Sequence, residues 1–349
     1  MLLIVFFTKE NSLESYSGNT MGTYYKVIVV SSDDTNKSSL IKDTLELVNQ
    51  EMSTYLETSF ISKLNTTPVG YWIDSSSSFL EVMNVAIEIC ELSEGYFDVS
   101  AGGLVNIWGF GPSEILKSPN QTTVLNSLKE IGCDSISIDT LNSRVRRERN
   151  VQIDFSAIAK GFAIDQVYNE LKKNIYITGF FIEVGGEIKT YGLKGKNTPW
   201  SVGIAHPEYT SKPIFESKTN TRENFSMATS GDYRNIRILD DKVLSHTINT
   251  KNGSPLEVLN SSVSVVNGSA MRADALATAI NAMGPTKGLT FANNKNIDAI
   301  FILKEDLHLI FSVLLKLTIS FKLYSLLIKS FFRENVSHCK RCEKEECGK

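Results

Sequence analysis

The sequence predicts an α+β fold, on three observations. Helix-like and strand-like patterns are interleaved without a strict strand–helix–strand rhythm, which disfavours a doubly wound parallel sheet. Several strand-like runs are short and succeed one another across glycine turns. Hydrophobic residues make up 42% of the 349 positions and charged residues 21%, ordinary values for a folded chain of about two domains. Lys and Arg number 36 against 39 Asp and Glu, so there is no broad basic footprint, and nucleic acid is not an expected partner.

The elements follow in chain order. Leu2 to Phe7 is a short apolar run with no basic residue ahead of it and no small-residue cleavage site behind it. It reads either as a strand or as the end of an export signal within residues 1–16. Tyr24 to Val30 predicts a strand. Leu40 to Met52 has helical spacing, with Leu45, Val48 and Met52 on one face. Phe79 to Leu92 predicts a second helix, striped by Leu80, Met83, Ala86, Ile87 and Cys90. Val151 to Phe155 reads as a short strand that runs through a tight loop into a helix at Ala157 to Leu171. Strands are expected at Phe181 to Val184, Ile188 to Tyr191, Trp200 to Ala205 and Ser262 to Val266, the last leading into an Ala-rich helix at Ala273 to Met283. Polar clusters at Ser31 to Ser39, Asp74 to Ser78 and Lys212 to Asn224 read as loops.

Residues 305–349 depart from this pattern. Leu309 to Phe332 approaches the ~20 apolar residues of a membrane span, but Lys316, Lys322 and Lys329 interrupt it. On a helix those lysines would share one polar stripe, which suits contact with a membrane surface; the alternatives are an edge or packing element, or a terminus whose coding sequence has drifted. Cys339, Cys342 and Cys347, with His338, make one knuckle of soft metal ligands without the second pair that a tetrahedral site expects, and a charged terminus is the plainer reading. Cys90 and Cys133 stand alone, so the main body is not expected to depend on cysteine.

Four clusters carry chemistry. Asp274 and Thr278, four apart on a predicted helix, project hard oxygens from one face and suit Mg²⁺; alone, Asp274 reads more simply as an acid placed at a helix start. In VQIDFSAIAKGFAID, Asp154 precedes a turn through Ser156 and Ala157 into a helix bearing Lys160 and Gly161, a place that favours anions, although Lys160 alone reads as a solvated lysine. The P-loop spacing is absent. Glycine-marked turns at Gly185-Gly186-Glu187, Thr229 to Tyr233 and His246 to Pro255 would let backbone approach a ligand. His246 is one of four histidines, and an imidazole ordinarily titrates near neutral pH; a lone histidine is more often structural. Tyr55, and Tyr96 with Phe97 and Asp98, border polar loops where a planar ring would stack, and aromatic core packing accounts for them equally well.

In order, these pieces resemble the ApbE family, the FAD:protein FMN transferases. The resemblance rests on Gly18-Asn19-Thr20-Met21-Gly22-Thr23, Met52-Ser53-Thr54-Tyr55 with Ser59 and Asn65, Gly95-Tyr96-Phe97-Asp98, Trp108-Gly109-Phe110-Gly111, Asp154 with Ala157-Ile158-Ala159-Lys160-Gly161, and Glu183-Val184-Gly185-Gly186-Glu187. It continues through Pro199-Trp200, Ala228 to Tyr233, Ser245-His246 and Ala273-Asp274 to Ala277-Thr278, and covers residues 17–304.

The resemblance implies a T-fold-like α+β fold of two lobes with a flavin cleft between them. It implies FAD binding by Met21, Tyr55, Tyr96, Phe97, Asp98, Asp154, Lys160 and Ile248, and Mg²⁺ held by the Ala157 carbonyl, Asp274 and Thr278. The reaction it implies is transfer of the FMN moiety of FAD to a Thr or Ser hydroxyl of an acceptor protein, with release of AMP. Lys160 would neutralise phosphate charge, and His246 is the candidate base. The rival readings are a Mg²⁺-dependent FAD pyrophosphatase and a flavin-binding protein without turnover. Implied acceptors are flavin-carrying subunits of the Na⁺-pumping NADH:quinone reductase or Rnf-type complexes, and the implied location is the periplasmic face of the bacterial inner membrane. Two departures stand out. The family's His-x-Ile-Asp-Pro is here His246-Thr247-Ile248-Asn249-Thr250, and the first cysteine is Cys90, so a lipid anchor on an early cysteine is unsupported.

Overall fold

Apolar residues at alternate positions build the first hairpin: β1 (Ser12–Thr20) and β2 (Thr23–Ser31) pair antiparallel, and Tyr25, Val27 and Val29 point into the core. Met21 and Gly22 make the two-residue turn with positive φ at both positions, 50° and 70°, as the twist of a tight hairpin requires. In the computed structural model the residues described are 11–112, 115, 117–205, 213–219, 225–231, 236–257, 262–305, 308–314 and 321–323. The expectations for Leu2 to Phe7, Asp232, Tyr233, Lys316, Lys329 and the His338 to Cys347 knuckle lie outside them.

The chain continues through α1 (Ser38–Met52), α2 (Phe60–Thr66), β3 (Ile73–Asp74), α3 (Ser77–Leu92), α4 (Gly102–Ile107) and α5 (Gln121–Glu130). Next come β4 (Ile136–Asp139), β5 (Arg144–Arg147), α6 (Ala159–Lys172), β6 (Ile177–Val184), β7 (Glu187–Gly192), β8 (Ser201–Ala205) and β9 (Pro213–Lys218). Then follow β10 (Phe225–Gly231), β11 (Ile236–Leu239), β12 (Lys242–Asn249), β13 (Ser254–Glu257), β14 (Ser262–Asn267), α7 (Ala270–Met283) and α8 (Pro285–Asn294). The last are β15 (Asp298–Glu305), β16 (His308–Leu314) and β17 (Phe321–Leu323).

The main sheet runs β1-β2-β6-β7-β10-β14-β15-β16, every neighbouring pair antiparallel. Alternate residues Val27, Val29, Phe180, Ile182, Val184, Val263, Val265 and Phe301 form one core with the buried faces of α1, α3, α6 and α7. At ~25 cal/mol per Å² of apolar surface buried, that shared core is what holds the helices to the sheet. Smaller antiparallel sheets, β3-β5-β4 and β11-β12-β13, belong to the same unit; β8, β9 and β17 form a three-stranded sheet in a second unit.

The α+β expectation holds, and the local expectations hold for β2, α1, α3, β6, β7, β8, β14 and the two site-bearing helices. Three do not. Val151 to Phe155 is not a strand: Gln152 makes a single bridge to Ala101, and the Asn65 side chain occupies the backbone of Ile153 where a neighbouring strand would lie. The Lys212 to Asn224 cluster is not all loop, because β9 occupies Pro213–Lys218; the run from Leu309 takes the edge-element alternative over 309–314, where β16 lies beside β15, and among the described residues no helix is long and apolar enough to cross a membrane. Nor does the body do without cysteine. Cys90, at the last turn of α3, forms a disulfide with Cys133 after α5, closing a sequence separation of 43 residues.

Chain-entropy arithmetic gives that cross-link about 4 kcal/mol of stability. Cys90→Ser with Cys133→Ser, or reduction of the native chain, is expected to lower the unfolding free energy by about that amount in urea titrations; an unchanged midpoint would refute the contribution.

Candidate active site

The site is built outward from a crossing of two helix starts. Gly161, third residue of α6, lies against the first residues of α7, where a Cβ would stand 2.3 Å from the Ala270 carbonyl oxygen. Only glycine permits this approach. The Gly161 N–H donates to Asp274 Oδ2 at 3.1 Å, so a carboxylate on α7 serves a free amide at the start of α6. Asp274 sits in the second turn of α7, whose own N-cap is Ser269. It is therefore not the helix-start acid of the simpler reading, because the helix begins three residues before the expected Ala273.

Lys160 Nζ stands 3.8 Å from Asp274 Oδ2 and 3.6 Å from Glu187 Oε1, and donates to the Ser156 carbonyl at 3.2 Å. Asp274 and Glu187 are each 5% exposed. Burial pushes the Asp274 carboxyl up, with Lys160 and the Gly161 amide opposing. For the Lys160 ammonium burial pulls downward, but Asp274, Glu187 and Asp154 together outweigh it and hold its pKa above the usual lysine value. Lys160 is thus a charged bridge between two buried carboxylates, not a solvated helix lysine.

Asp154 is held on the approach to α6 by a relay that starts far upstream. Ser59 caps α2, α2 carries Asn65, and the Asn65 amide pairs with both backbone groups of Ile153, at 2.7 and 2.9 Å. The Asp154 N–H donates to the Val99 carbonyl at 2.8 Å, and Asp154 Oδ1 accepts from the Ser156 N–H at 2.7 Å. Burial raises its carboxyl pKa, against the Ser156 hydrogen bonds and Lys160. Tyr55, 66% exposed, feels the Asp154 charge and donates its hydroxyl to the Phe110 carbonyl at 3.1 Å. Ala157, in the same turn, is partly buried against the core. Thr278 lies four residues after Asp274 on α7 and is half-buried.

Gly185 joins this corner to the first hairpin. Its backbone approaches both Thr23 and the Lys160 stem, and its N–H donates to the Tyr24 carbonyl at 3.0 Å. An open pocket of about 490 Å³ at that hairpin is lined by Asn19 to Tyr24, and so includes Met21.

The Gly95 to Asp98 loop follows the disulfide at the end of α3. Tyr96 is half-buried beneath Lys287, 4.5 Å above its ring, and Lys251, at 5.4 Å. Phe97 is a core residue at 2% exposure. Asp98 Oδ1 accepts from Ser100 Oγ at 2.6 Å, and Ser100 Oγ accepts from the Gly132 N–H at 3.0 Å, one residue from Cys133. Burial raises the Asp98 carboxyl pKa, with the Ser100 contacts opposing.

His246 is half-buried on β12. Its neighbour Thr247 meets Asn281 of α7, whose Nδ2 also donates to Ser230 Oγ at 3.2 Å. Ile248 is buried in a small cluster with Ala101, Leu104 and Val124. Asn249 meets the turn's requirement without the family's carboxylate: its Oδ1 accepts from the Lys251 N–H at 2.9 Å, and its carbonyl accepts from the Gly253 N–H at 2.8 Å. Thr250 hooks the turn to the Gly95 to Asp98 loop by donating its hydroxyl to the Gly95 carbonyl.

Lys160, Asp274, Asp154 and Tyr55 are therefore brought into one charged corner, whereas the side chains of Phe97 and Ile248 are buried. A match to the ApbE family spans residues 21–301. The chain belongs to the ApbE family. It is 34% identical over 313 residues to a FAD:protein FMN transferase of Haemophilus influenzae, covering 85% of this chain and 88% of that one. A Vibrio cholerae protein of the same name is 33% identical over 297 residues, covering 83% and 87%. Among solved structures, the flavin transferase ApbE from Vibrio cholerae superposes with a TM-score of 0.77 at 30% identity, covering 87% of this chain and 97% of that one. The apo flavinyl transferase ApbE of Pseudomonas stutzeri gives 0.76 at 30% identity, covering 87% and 95%. Membership at this level makes the chain an enzyme of the transferase class.

Three participants escaped the residue-by-residue reading. Glu187 was visible only as part of a glycine turn; its signal is a carboxylate at the first position of a strand buried on its inner face. Asp165 and Lys189 join α6, β7 and the start of α7, and their signal is a charged residue within otherwise buried runs.

Removing the Lys160 ammonium leaves two buried carboxylates facing one another. Lys160→Met is expected to cost about 3 kcal/mol near neutral pH. A carboxyl whose folded pKa exceeds its unfolded one weakens the fold as pH rises between the two, so the deficit should shrink as pH falls. Urea unfolding at about pH 7.5 and about pH 5 reads this directly; a pH-independent deficit would contradict the assignment.

Proposed function

We propose that this enzyme transfers the FMN moiety of FAD to a Thr or Ser hydroxyl of an acceptor protein, releasing AMP, with Mg²⁺ at the Asp274 corner. The observation that carries the reading is the Lys160 ammonium bridging buried Asp274 and Glu187 next to the Gly161 amide. The donors fit a hard cation: a desolvated carboxylate, the Thr278 hydroxyl one turn along the same helix, and the Ala157 carbonyl in the turn before α6. Those three would hold the ion. Bound Mg²⁺ would supply neutralisation of the dinucleotide's diphosphate and of charge developing on the departing AMP.

The chain's own groups do the remaining work. Lys160 presents a fixed positive charge where the diphosphate must lie, and its carboxylate partners keep it protonated at working pH. Tyr55 and Tyr96 offer exposed and half-exposed ring faces for the planar ends of FAD. The acceptor oxygen attacks the FMN-side phosphorus, the bond to AMP breaks, and the hydroxyl proton passes to the His246 imidazole. The Asn249 turn that follows His246 keeps its hydrogen bonds from the Lys251, Asn252 and Gly253 N–H groups, which favours a working enzyme over a flavin-binding relic. The Cys90–Cys133 disulfide supports an oxidising compartment, consistent with the periplasmic side of the inner membrane. The acceptors that the family resemblance implies, subunits of Na⁺-pumping NADH:quinone reductase or Rnf-type complexes, are the substrates with which to test it.

Incubation with FAD, Mg²⁺ and such a subunit should yield covalent, fluorescent flavin on the acceptor and one AMP per flavin. Free FMN without labelled acceptor would instead indicate a pyrophosphatase. His246→Ala should slow labelling by about a hundredfold or more while FAD binding stays near the native value; a rate within twofold would remove His246 from the mechanism.

A further inference from the structure

The contact between α6 and α7 is reciprocal. Gly161 and Asp165 are four apart on α6; Ala270 and Asp274 are four apart on α7. The Gly161 N–H donates to Asp274, and the Ala270 and Met271 N–H groups donate to Asp165 Oδ1 and Oδ2, each at 3.1 Å. Each helix therefore lends a carboxylate to the other's unpaired N-terminal amides. Asp165 also accepts the Ser269 hydroxyl at 2.7 Å, and the buried Lys189 of β7 donates to Asp165 Oδ1 at 2.6 Å and to the Gly268 carbonyl at 3.0 Å.

We propose that Asp165, balanced by Lys189, is a positioning residue for the proposed metal donors Asp274 and Thr278. The inference rests on the reading of that corner as the metal site. Asp165 fixes the first turn of α7, and Asp274 stands one turn further on, about 6 Å along the axis. Any rotation or slip of that turn moves the carboxylate relative to Ala157 and Lys160. Outer contacts of this kind typically govern metal affinity by ten- to a hundredfold. The Asp165 carboxylate bonds to the α7 amides, to Ser269 and to Lys189.

The test is Asp165→Asn in the full chain, with Ser269→Ala as a second variant that removes one of the Asp165 contacts together with the α7 cap on the Arg272 N–H and leaves the Asp165 carboxylate in place. Two readouts are taken. Titration with Mn²⁺ in the presence of FAD, followed by the free-ion paramagnetic signal, should show metal affinity reduced about tenfold in Asp165→Asn and less in Ser269→Ala. Hydrogen exchange should show lost protection at Gly161, Ala270 and Met271 with β6 unchanged. Labelling rate at saturating Mg²⁺ should recover to within about threefold of native, which a global loss of structure would not allow. Native metal affinity in a folded variant, even with a lowered melting temperature, would overturn the inference and reduce Asp165 to a fold-stabilising role. If instead Asp274→Ala binds Mn²⁺ as the native enzyme does, the reading of the corner itself fails.

Discussion

Two helix N-termini meet across Gly161, and the rest of the site depends on how their charge is balanced. Helix starts carry partial positive charge and unpaired amides, so bringing two together is unfavourable unless anions intervene. Here Asp274 and Asp165 intervene, each supplied by the opposite helix. Both carboxylates are then answered by lysines, Lys160 and Lys189, the first shared with Glu187. A carboxylate buried in this way is costly to keep ionised, which is why the Asp274 carboxyl is raised and why its amide and ammonium partners are indispensable. The same arrangement leaves a desolvated oxygen donor and a fixed cation side by side, the pairing a diphosphate and a hard metal require.

Around that corner the chain fastens its loops by few but specific ties. Asn65 holds Ile153 and so sets Asp154. Thr250 joins the β12 turn to Gly95, and Trp108 donates its indole N–H to the Gly253 carbonyl at 2.7 Å. The disulfide fixes the loop of Tyr96 and Asp98 through the end of α3 and, by way of Gly132 and Ser100, from the other side. These ties lie between segments distant in sequence, so the loops are ordered by tertiary contacts and not by local turn chemistry alone.

Much of this was legible in the sequence, for physical reasons. Periodic apolar stripes announced α1, α3 and the central strands, because burial on one face leaves a period that can be read. The i, i+4 spacing of Asp274 and Thr278 announced a shared helix face. What was not legible depended on partners far along the chain. The cross-link of Cys90 and Cys133 has no spacing signature, since connectivity does not follow from position. Val151 to Phe155 alternates like a strand, but the Asn65 side chain takes the hydrogen bonds that a neighbouring strand would have supplied. The lysine-spaced run from Leu309 left a surface helix and an edge element both open, and pairing with β15 decides for the edge strand over residues 309–314. Asp165 and Lys189 were not singled out because their partners lie on elements that meet only in the folded chain.

On the proposed function, the α6–α7 crossing would hold the divalent ion against the dinucleotide. Crystals grown with FAD and Mn²⁺, measured at a wavelength where manganese scatters anomalously, test it most directly. The account requires an anomalous peak coordinated by the Asp274 carboxylate, the Thr278 hydroxyl and the Ala157 carbonyl, in contact with the FAD diphosphate. A fully bound dinucleotide with no peak at that crossing, or with the metal held elsewhere, would contradict it.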